Sequence, residues 1–184
     1  MFKGSPEFTH AQADKVGVLL TNLGTPDAPE KSALRRYLKE FLWDPRVVEV
    51  PRPLWWVILN GAILNFRPAR SAESYKTVFT EEGSPLLVHS QRQGDAMKAA
   101  LAQKGRDDVV VEVAMRYGNP SIKKGIQALM DAGVRRLLVL PLYPQYSAST
   151  TASTFDAVSA DFRERRWIPE LRFINHYHDF PLFI

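Results

Sequence analysis

Arg116 and Tyr117 stand directly beyond an apolar run, Val109-Val110-Val111-Glu112-Val113-Ala114, within Met115-Arg116-Tyr117-Gly118-Asn119-Pro120. An arginine there can grip a carboxylate through charge-assisted, bidentate bonds, and a tyrosine can face a planar ligand. The same spacing fits an arginine snorkelling to solvent over a packed tyrosine. A second group is Arg67, Arg70, Tyr75 and Ser84. Trp55, Trp56, Leu59, Ile63 and Phe66 just before it could form a flat apolar wall, with the two arginines holding acidic substituents at its rim. Taken singly, the tryptophans fit an ordinary core helix better. A third group is the run from Tyr143 to Thr154, where six of the eight residues from Ser147 onward carry hydroxyls. Hydroxyls and free N–H groups at a helix start bind anions. A low-complexity loop with a simple cap is the alternative, which the flanking tyrosines disfavour. The fourth is Thr21-Asn22-Leu23-Gly24-Thr25-Pro26, a turn that brings backbone close to whatever lies above it. A plain strand-to-loop turn fits that spacing equally.

The four histidines are His10, His89, His176 and His178. His10 lies in a polar tail, and His89 falls in an amphipathic helix where it reads as structural. His176 and His178 sit two apart, but no third ligand has telling spacing, so the sequence assigns no metal site. Absence of cysteine excludes disulfides, thiolate zinc and iron–sulfur ligation within the chain. There is no Gly-x-Gly-x-x-Gly and no Walker loop, so an ordinary nucleotide site lacks support.

Four apolar runs must position these groups. They are Val16 to Asn22, Val109 to Ala114, Leu137 to Leu142 and Leu171 to Ile174. The first, unbroken as it is, implies burial on both faces. Between them, Leu34, Leu38, Phe41 and Leu42 recur at helical spacing, as do Leu87, Gly94, Met97 and Leu101 after Ser84-Pro85. Pro51 to Phe66 reads as helical after Pro53, and a helix opened by Asn119-Pro120 closes at Gly133. Strand and helix in succession predict an α/β fold, a parallel sheet with right-handed crossovers. In such sheets ligands gather at the carboxyl ends of the strands, where three of the four groups fall.

The chain has 184 residues, 45% hydrophobic and 24% charged, which excludes wholesale disorder and fibrous classes. Its net charge is +4, yet residues 31–70 hold eight basic and three acidic side chains. That surplus suits an anionic small molecule, anionic lipid or nucleic acid, and also a plain solvated helix surface. The most apolar run, from Leu54 to Leu64, is interrupted by Asn60 and is about half of the roughly 20 residues a membrane span needs. Residues 1–14 read as a polar tail, with 4–8 resembling a cloning junction, and a cytoplasmic protein is expected.

These stretches resemble ferrochelatase, the enzyme that inserts ferrous iron into a porphyrin. The matches are Gly17 to Pro26, Phe41-Leu42-Trp43-Asp44-Pro45-Arg46-Val47-Val48, Glu82 to Leu86, Met115 to Pro120 and Tyr143 to Ser147. The likeness covers nearly everything after Asp14, and the bacterial, cluster-free branch is the closer fit. It implies two similar Rossmann-like domains around a porphyrin cleft, of which residues 15–184 would be the amino-terminal, porphyrin-binding one. Position by position, Arg67, Tyr75 and Ser84 match porphyrin-contacting residues. Leu23 matches a residue set against the macrocycle, and Arg116-Tyr117 match the family's pair in the cleft. Tyr146, Ser147 and Thr151 complete the expected porphyrin set. Leu54 to Phe66 resembles an apolar lip near the inner membrane surface.

A porphyrin is an apolar disc with propionates at one edge, so it needs apolar walls and a few fixed cations. Insertion requires the ring to pucker, with strain of about 1–5 kcal/mol, and two pyrrole protons to leave to a base tuned near neutrality. The family's metal-facing histidine, in Ser-Ala-His, and its glutamate partner have no counterpart in these 184 residues. The chain is therefore expected to be an inactive half, with no certain catalytic residue and Arg116 and Tyr117 as candidates. Expected too are Fe2+ as substrate, no permanently bound cofactor, no nucleic-acid partner and, from Ala148 at a cluster-cysteine position, no iron–sulfur cluster. The alternatives are a non-catalytic tetrapyrrole-binding module and a membrane-surface protein.

Overall fold

All four apolar runs become strands of one parallel sheet. The computed structural model describes residues 2–4, 9, 11 and 14–184. His10 and residues 5–8 of the suspected junction lie outside the described residues. The strands are β1 (Lys15–Thr25), β2 (Val109–Gly118), β3 (Val134–Pro141) and β4 (Glu170–Phe173), in the order β2-β1-β3-β4. β1 runs beside β3 from Lys15↔Val134 to Thr21↔Pro141, and β3 beside β4 from Arg136↔Glu170 to Val139↔Phe173, both in parallel. The α/β fold expected from the sequence is the one formed.

Two compact units can be distinguished. The first comprises Met1–Asn22, Ser90–Arg116 and Pro120–Ile184. Strand alternation divides its core. Leu19, Leu137 and Val139 join Ile122, Ile126 and Leu129 of α5 (Ile122–Asp131) and Val158 of α6 (Ser153–Phe162). Val18 and Leu20 join Met97 and Leu101 of α4 (Pro85–Gln103), together with Leu138 and Leu140. Both faces of β1 are covered, which is why it reads as an unbroken apolar run, whereas the edge strand β4 alternates exposed Glu170 and Arg172 with half-buried Leu171 and Phe173. Each fully buried leucine contributes roughly 1.5–3 kcal/mol to this core. Close approach of α5 to the sheet needs Gly125, where an added Cβ would meet Leu19 at 2.8 Å and Ala114 at 3.1 Å. The tail is tied in at Lys3, whose N–H donates to Glu164 O at 2.7 Å and whose carbonyl accepts from Arg166 N at 3.1 Å.

The second unit comprises Leu23–His89 and Tyr117–Asn119. α1 (Lys31–Trp43) buries one stripe, Ala33, Leu34, Tyr37, Leu38 and Leu42, and keeps Arg35, Arg36 and Lys39 outside. α2 (Arg52–Ile58) passes through a π-helical turn (Leu59–Ile63) into α3 (Leu64–Lys76). Leu59 and Leu64 are fully buried there beside Tyr37, Leu38, Leu42 and Tyr117. The sequence marked Pro53 as the entry to this helix but gave no sign that it continues past Pro68. Proline lacks the N–H that would bond the carbonyl four residues back, here Leu64. Arg35 of α1 supplies that donor, its Nη1 bonding Leu64 O and, at 3.1 Å, Asn65 Oδ1.

Two boundaries differ from the sequence reading. β2 runs through Arg116 and Tyr117 to Gly118, and Met115 N donates to Pro120 O at 2.6 Å. α5 then starts at Ile122, capped by Ser121, whose hydroxyl accepts from Lys124 N. Among the described residues no helix is long and apolar enough to cross a membrane.

Candidate functional site

In the second unit the end of β1 is held down tightly. Gly24 adopts φ 107°, and a Cβ there would lie 1.8 Å from Tyr117 O, so only glycine fits. Tyr37 donates its hydroxyl to Gly24 O at 3.2 Å. Tyr117 is fully buried, and its hydroxyl donates to Asp44 Oδ2 at 2.8 Å. The other carboxylate oxygen of Asp44 accepts from Arg46 N at 2.7 Å. Phe41 stands edge-on to Tyr117 with centroids 5.1 Å apart and stacks on Tyr37 at 6.0 Å. Leu23 is half-buried against this cluster.

The apolar segment of the same unit divides in two. Trp55 is half-buried and its indole N–H donates to Leu42 O at 2.7 Å, so it is part of the scaffold. Leu54, Trp56, Val57, Ile58 and Phe66 are exposed, Trp56 by 58% and Phe66 by 78%. Arg67 and Arg70 follow on α3, both exposed. Tyr75 lies near the end of α3, half-buried, with Phe79 edge-on at 6.1 Å. Burial pushes its hydroxyl pKa up, while the Arg67 charge and the Tyr37 hydroxyl pull the other way. A tight turn between Thr80 and Gly83 leads to Ser84, which is buried and accepts Val88 N at 3.0 Å through its carbonyl.

In the first unit Arg116 is half-buried, and its Nε donates to both Ser153 O (2.9 Å) and Ser153 Oγ (2.6 Å). Ser153 opens α6 directly after a π-helical turn (Ala148–Ala152), the form taken by the hydroxyl-rich run. Tyr146 and Ser147 are exposed, whereas Thr151 and Thr154 are fully buried. The hydroxyls of Thr21 and Thr151 find no hydrogen-bond partner among the described residues. Burial pushes the Tyr143 hydroxyl up to about 12, opposed by the neighbouring Thr154 hydroxyl and the Arg116 charge. Tyr143 therefore stays protonated at neutral pH and is no base there.

Comparison with known proteins decides the lineage. The sequence model of the ferrochelatase family matches residues 15–184. The chain belongs to the ferrochelatase family. It is 67% identical over 183 residues to the ferrochelatase of Idiomarina loihiensis, covering the whole of this chain and 50% of the relative. Against that of Alcanivorax borkumensis the identity is 63% over 183 residues, covering 54% of the relative. Against that of Marinobacter nauticus it is 60%, covering 50%. The chain spans about half the length of the curated relatives it matches, and corresponds to their amino-terminal portion. The aligned 183 residues take in nearly all of the tail.

The residues that ferrochelatase resemblance singled out fall into both units. Leu23, Arg67, Tyr75, Ser84 and Tyr117 belong to the second, and Arg116, Tyr146, Ser147 and Thr151 to the first. Within the second, Arg67 and Tyr75 share α3 and interact electrostatically. Within the first, Arg116 is joined to the helix that follows Thr151. Sequence reasoning missed the partners. In the sequence Asp44 stands out only as part of a matching stretch, although a carboxylate between Trp43 and Pro45 in an apolar run signals a buried acceptor. Ser153 as the seat of Arg116 left no local signal, being 37 residues away. Asp179, which the structure sets beside His176 and His178, carries no telling spacing in the sequence.

Proposed function

We propose that this chain is the porphyrin-holding part of a lyase that inserts Fe2+ into a porphyrin such as protoporphyrin IX, the last step of haem biosynthesis. The observation that carries this reading, beside family membership, is the exposed apolar surface of the second unit followed by Arg67 and Arg70. Apolar carbon and fixed cations are what a disc with acidic substituents requires. In this reading Arg67 and Arg70 pair with propionates, Tyr75 and Ser84 position the ring edge, and Leu23 bears on the macrocycle. Arg116, fixed by Ser153, and the exposed Tyr146 and Ser147 supply further polar contacts, while Thr151, wholly buried, acts through the π-helical turn it packs inside. Tyr117 acts through its buried bond to Asp44, which holds the end of β2.

Iron is the substrate, and we propose no resident cofactor, no iron–sulfur cluster and no nucleic-acid partner. Proton removal calls for a base near neutral pKa, and Tyr143 is held far from that range. Because these 184 residues contain no counterpart of the family's Ser-Ala-His histidine and its glutamate partner, the chain alone is proposed to be inactive. We further place the protein in the cytoplasm, with the exposed face around Trp56 and Phe66 resting on the inner membrane surface.

A tryptophan-fluorescence titration with protoporphyrin IX, paired with a Fe2+ and Zn2+ insertion assay, tests this. Saturable but weak quenching, reduced at least about tenfold in Arg67→Ala/Arg70→Ala, with no insertion, is expected. Binding indifferent to both arginines would overturn the propionate assignment. Metal insertion by the chain alone would overturn its inactivity.

A further inference from the structure

We infer that His176, His178 and Asp179 form a surface site for a divalent first-row transition-metal ion. The three residues offer two imidazoles and one carboxylate, with ligand atoms all within 4.8 Å of one another. The imidazole rings lie 5.3 Å apart, and His176 Nδ1 is 3.9 Å from Asp179 Oδ1. The backbone explains why they converge. Ile174 N donates to Val139 O at 3.1 Å and Tyr177 N to Pro144 O at 2.9 Å, which fixes the segment beyond β4 against the end of β3. Phe180 N donates to Tyr177 O at 3.1 Å, closing a turn that brings Asp179 back toward His176. Tyr177 is half-buried, edge-on to Phe183 at 5.5 Å, while its neighbours His176 and His178 are exposed. The anchored tyrosine leaves the flanking histidines exposed, with their rings close enough to share one ion.

Imidazole nitrogen with one carboxylate suits Zn2+, Cu2+, Ni2+ and Fe2+ rather than Ca2+ or Mg2+. All three residues are exposed, so water can fill the remaining positions and the ion can exchange freely. Small rotations of exposed side chains bring the donors to the roughly 2.0–2.2 Å that such ions require. Nothing in this site depends on porphyrin binding.

Isothermal titration of the untagged chain with Zn2+, and electron paramagnetic resonance of the Cu2+-loaded chain, test it. One saturable equivalent of Zn2+ is expected, with nitrogen hyperfine structure from two imidazoles on Cu2+. His176→Ala and His178→Ala should each weaken Zn2+ binding at least about tenfold, and Asp179→Asn by about three- to tenfold. His89→Ala, on α4, should leave it unchanged. All four positions are exposed, and far-UV circular dichroism will verify that each variant is folded. Absence of saturable binding up to about 1 mM Zn2+, or binding unmoved by the two histidine substitutions, would overturn the site. Binding unmoved by Asp179→Asn would overturn the three-ligand assignment.

Discussion

The guanidinium of Arg35 on α1 donates to the backbone carbonyl of Leu64, the one helical acceptor that Pro68 cannot serve. A proline inside a helix normally kinks or breaks it, by removing that bond. Here the missing donor arrives from another helix, and α3 continues through to Lys76. The arginine surplus of residues 31–70 is thus partly structural. Arg35 closes a backbone gap, and Arg52 lies over the Trp43 ring at 3.9 Å.

Removing the side chain should expose that dependence. Arg35→Ala is expected to lower unfolding stability by about 1–2 kcal/mol, the cost of a partly buried carbonyl left without a donor. In a Pro68→Ala background the loss should shrink, because an alanine at that position restores an N–H to the Leu64 carbonyl. A double-mutant cycle by urea denaturation reads the difference. Equal losses in both backgrounds would show that the two residues are uncoupled.

Tyr117→Phe keeps the ring against Phe41 but takes a donor from the buried Asp44 carboxylate. Hydrogen bonds to charged groups contribute about 1.5–3 kcal/mol, and a loss of that size is expected by the same denaturation measurement. A loss near zero would mean that Asp44 draws nothing from the hydroxyl.

Tyr143 makes a pH prediction with a definite sign. Its folded pKa is raised from 10.0 to about 12, so the folded chain holds this proton where the unfolded chain has lost it. Its contribution to stability is full below pH 10 and falls as pH rises toward 12. Tyrosinate absorbance should show a late-ionising phase, and Tyr143→Phe should take one tyrosine's amplitude from its most alkaline part. The variant's stability should also decline less steeply across that window.

Membrane contact is read by vesicle co-sedimentation. Trp56→Ser/Phe66→Ser should abolish association with anionic vesicles, while Trp55→Phe should leave it intact, since Trp55 is engaged with Leu42. Failure of the unaltered chain to associate at low salt would remove the membrane from its partners.

Strands were legible in the sequence because each is a mainly apolar run, broken only by Glu112 in β2 and Arg172 in β4 beyond the small polar residues at the end of the first, and α1 because Leu34, Leu38 and Leu42 recur on one stripe. What stayed hidden was held by remote partners. The passage of α3 through Pro68 depends on Arg35, 29 residues from the carbonyl it serves. The burial of Tyr117 depends on Asp44, 73 residues away, and the seat of Arg116 on Ser153. Local pattern identifies an element by its own side chains; it carries no record of a donor supplied by another. The positions singled out as a binding site could be named from their motifs. Their burial, with Thr151 wholly inside and Tyr146 outside, could not.

The π-helical turn between α2 and α3 holds one residue more than an α-helical path would need. Each residue turns a helix by about 100°, so this single insertion sets the rotational phase of everything after it. Deleting Gly61, which is exposed and where a Cβ would face open space, would let one continuous α-helix form, with loss of the bond its carbonyl accepts from Asn65 Nδ2 at 2.8 Å. It would also swing Arg67, Arg70 and Tyr75 by that angle relative to Trp56. The direction in which Arg67, Arg70 and Tyr75 leave the helix is thus set by counting, one residue at a time.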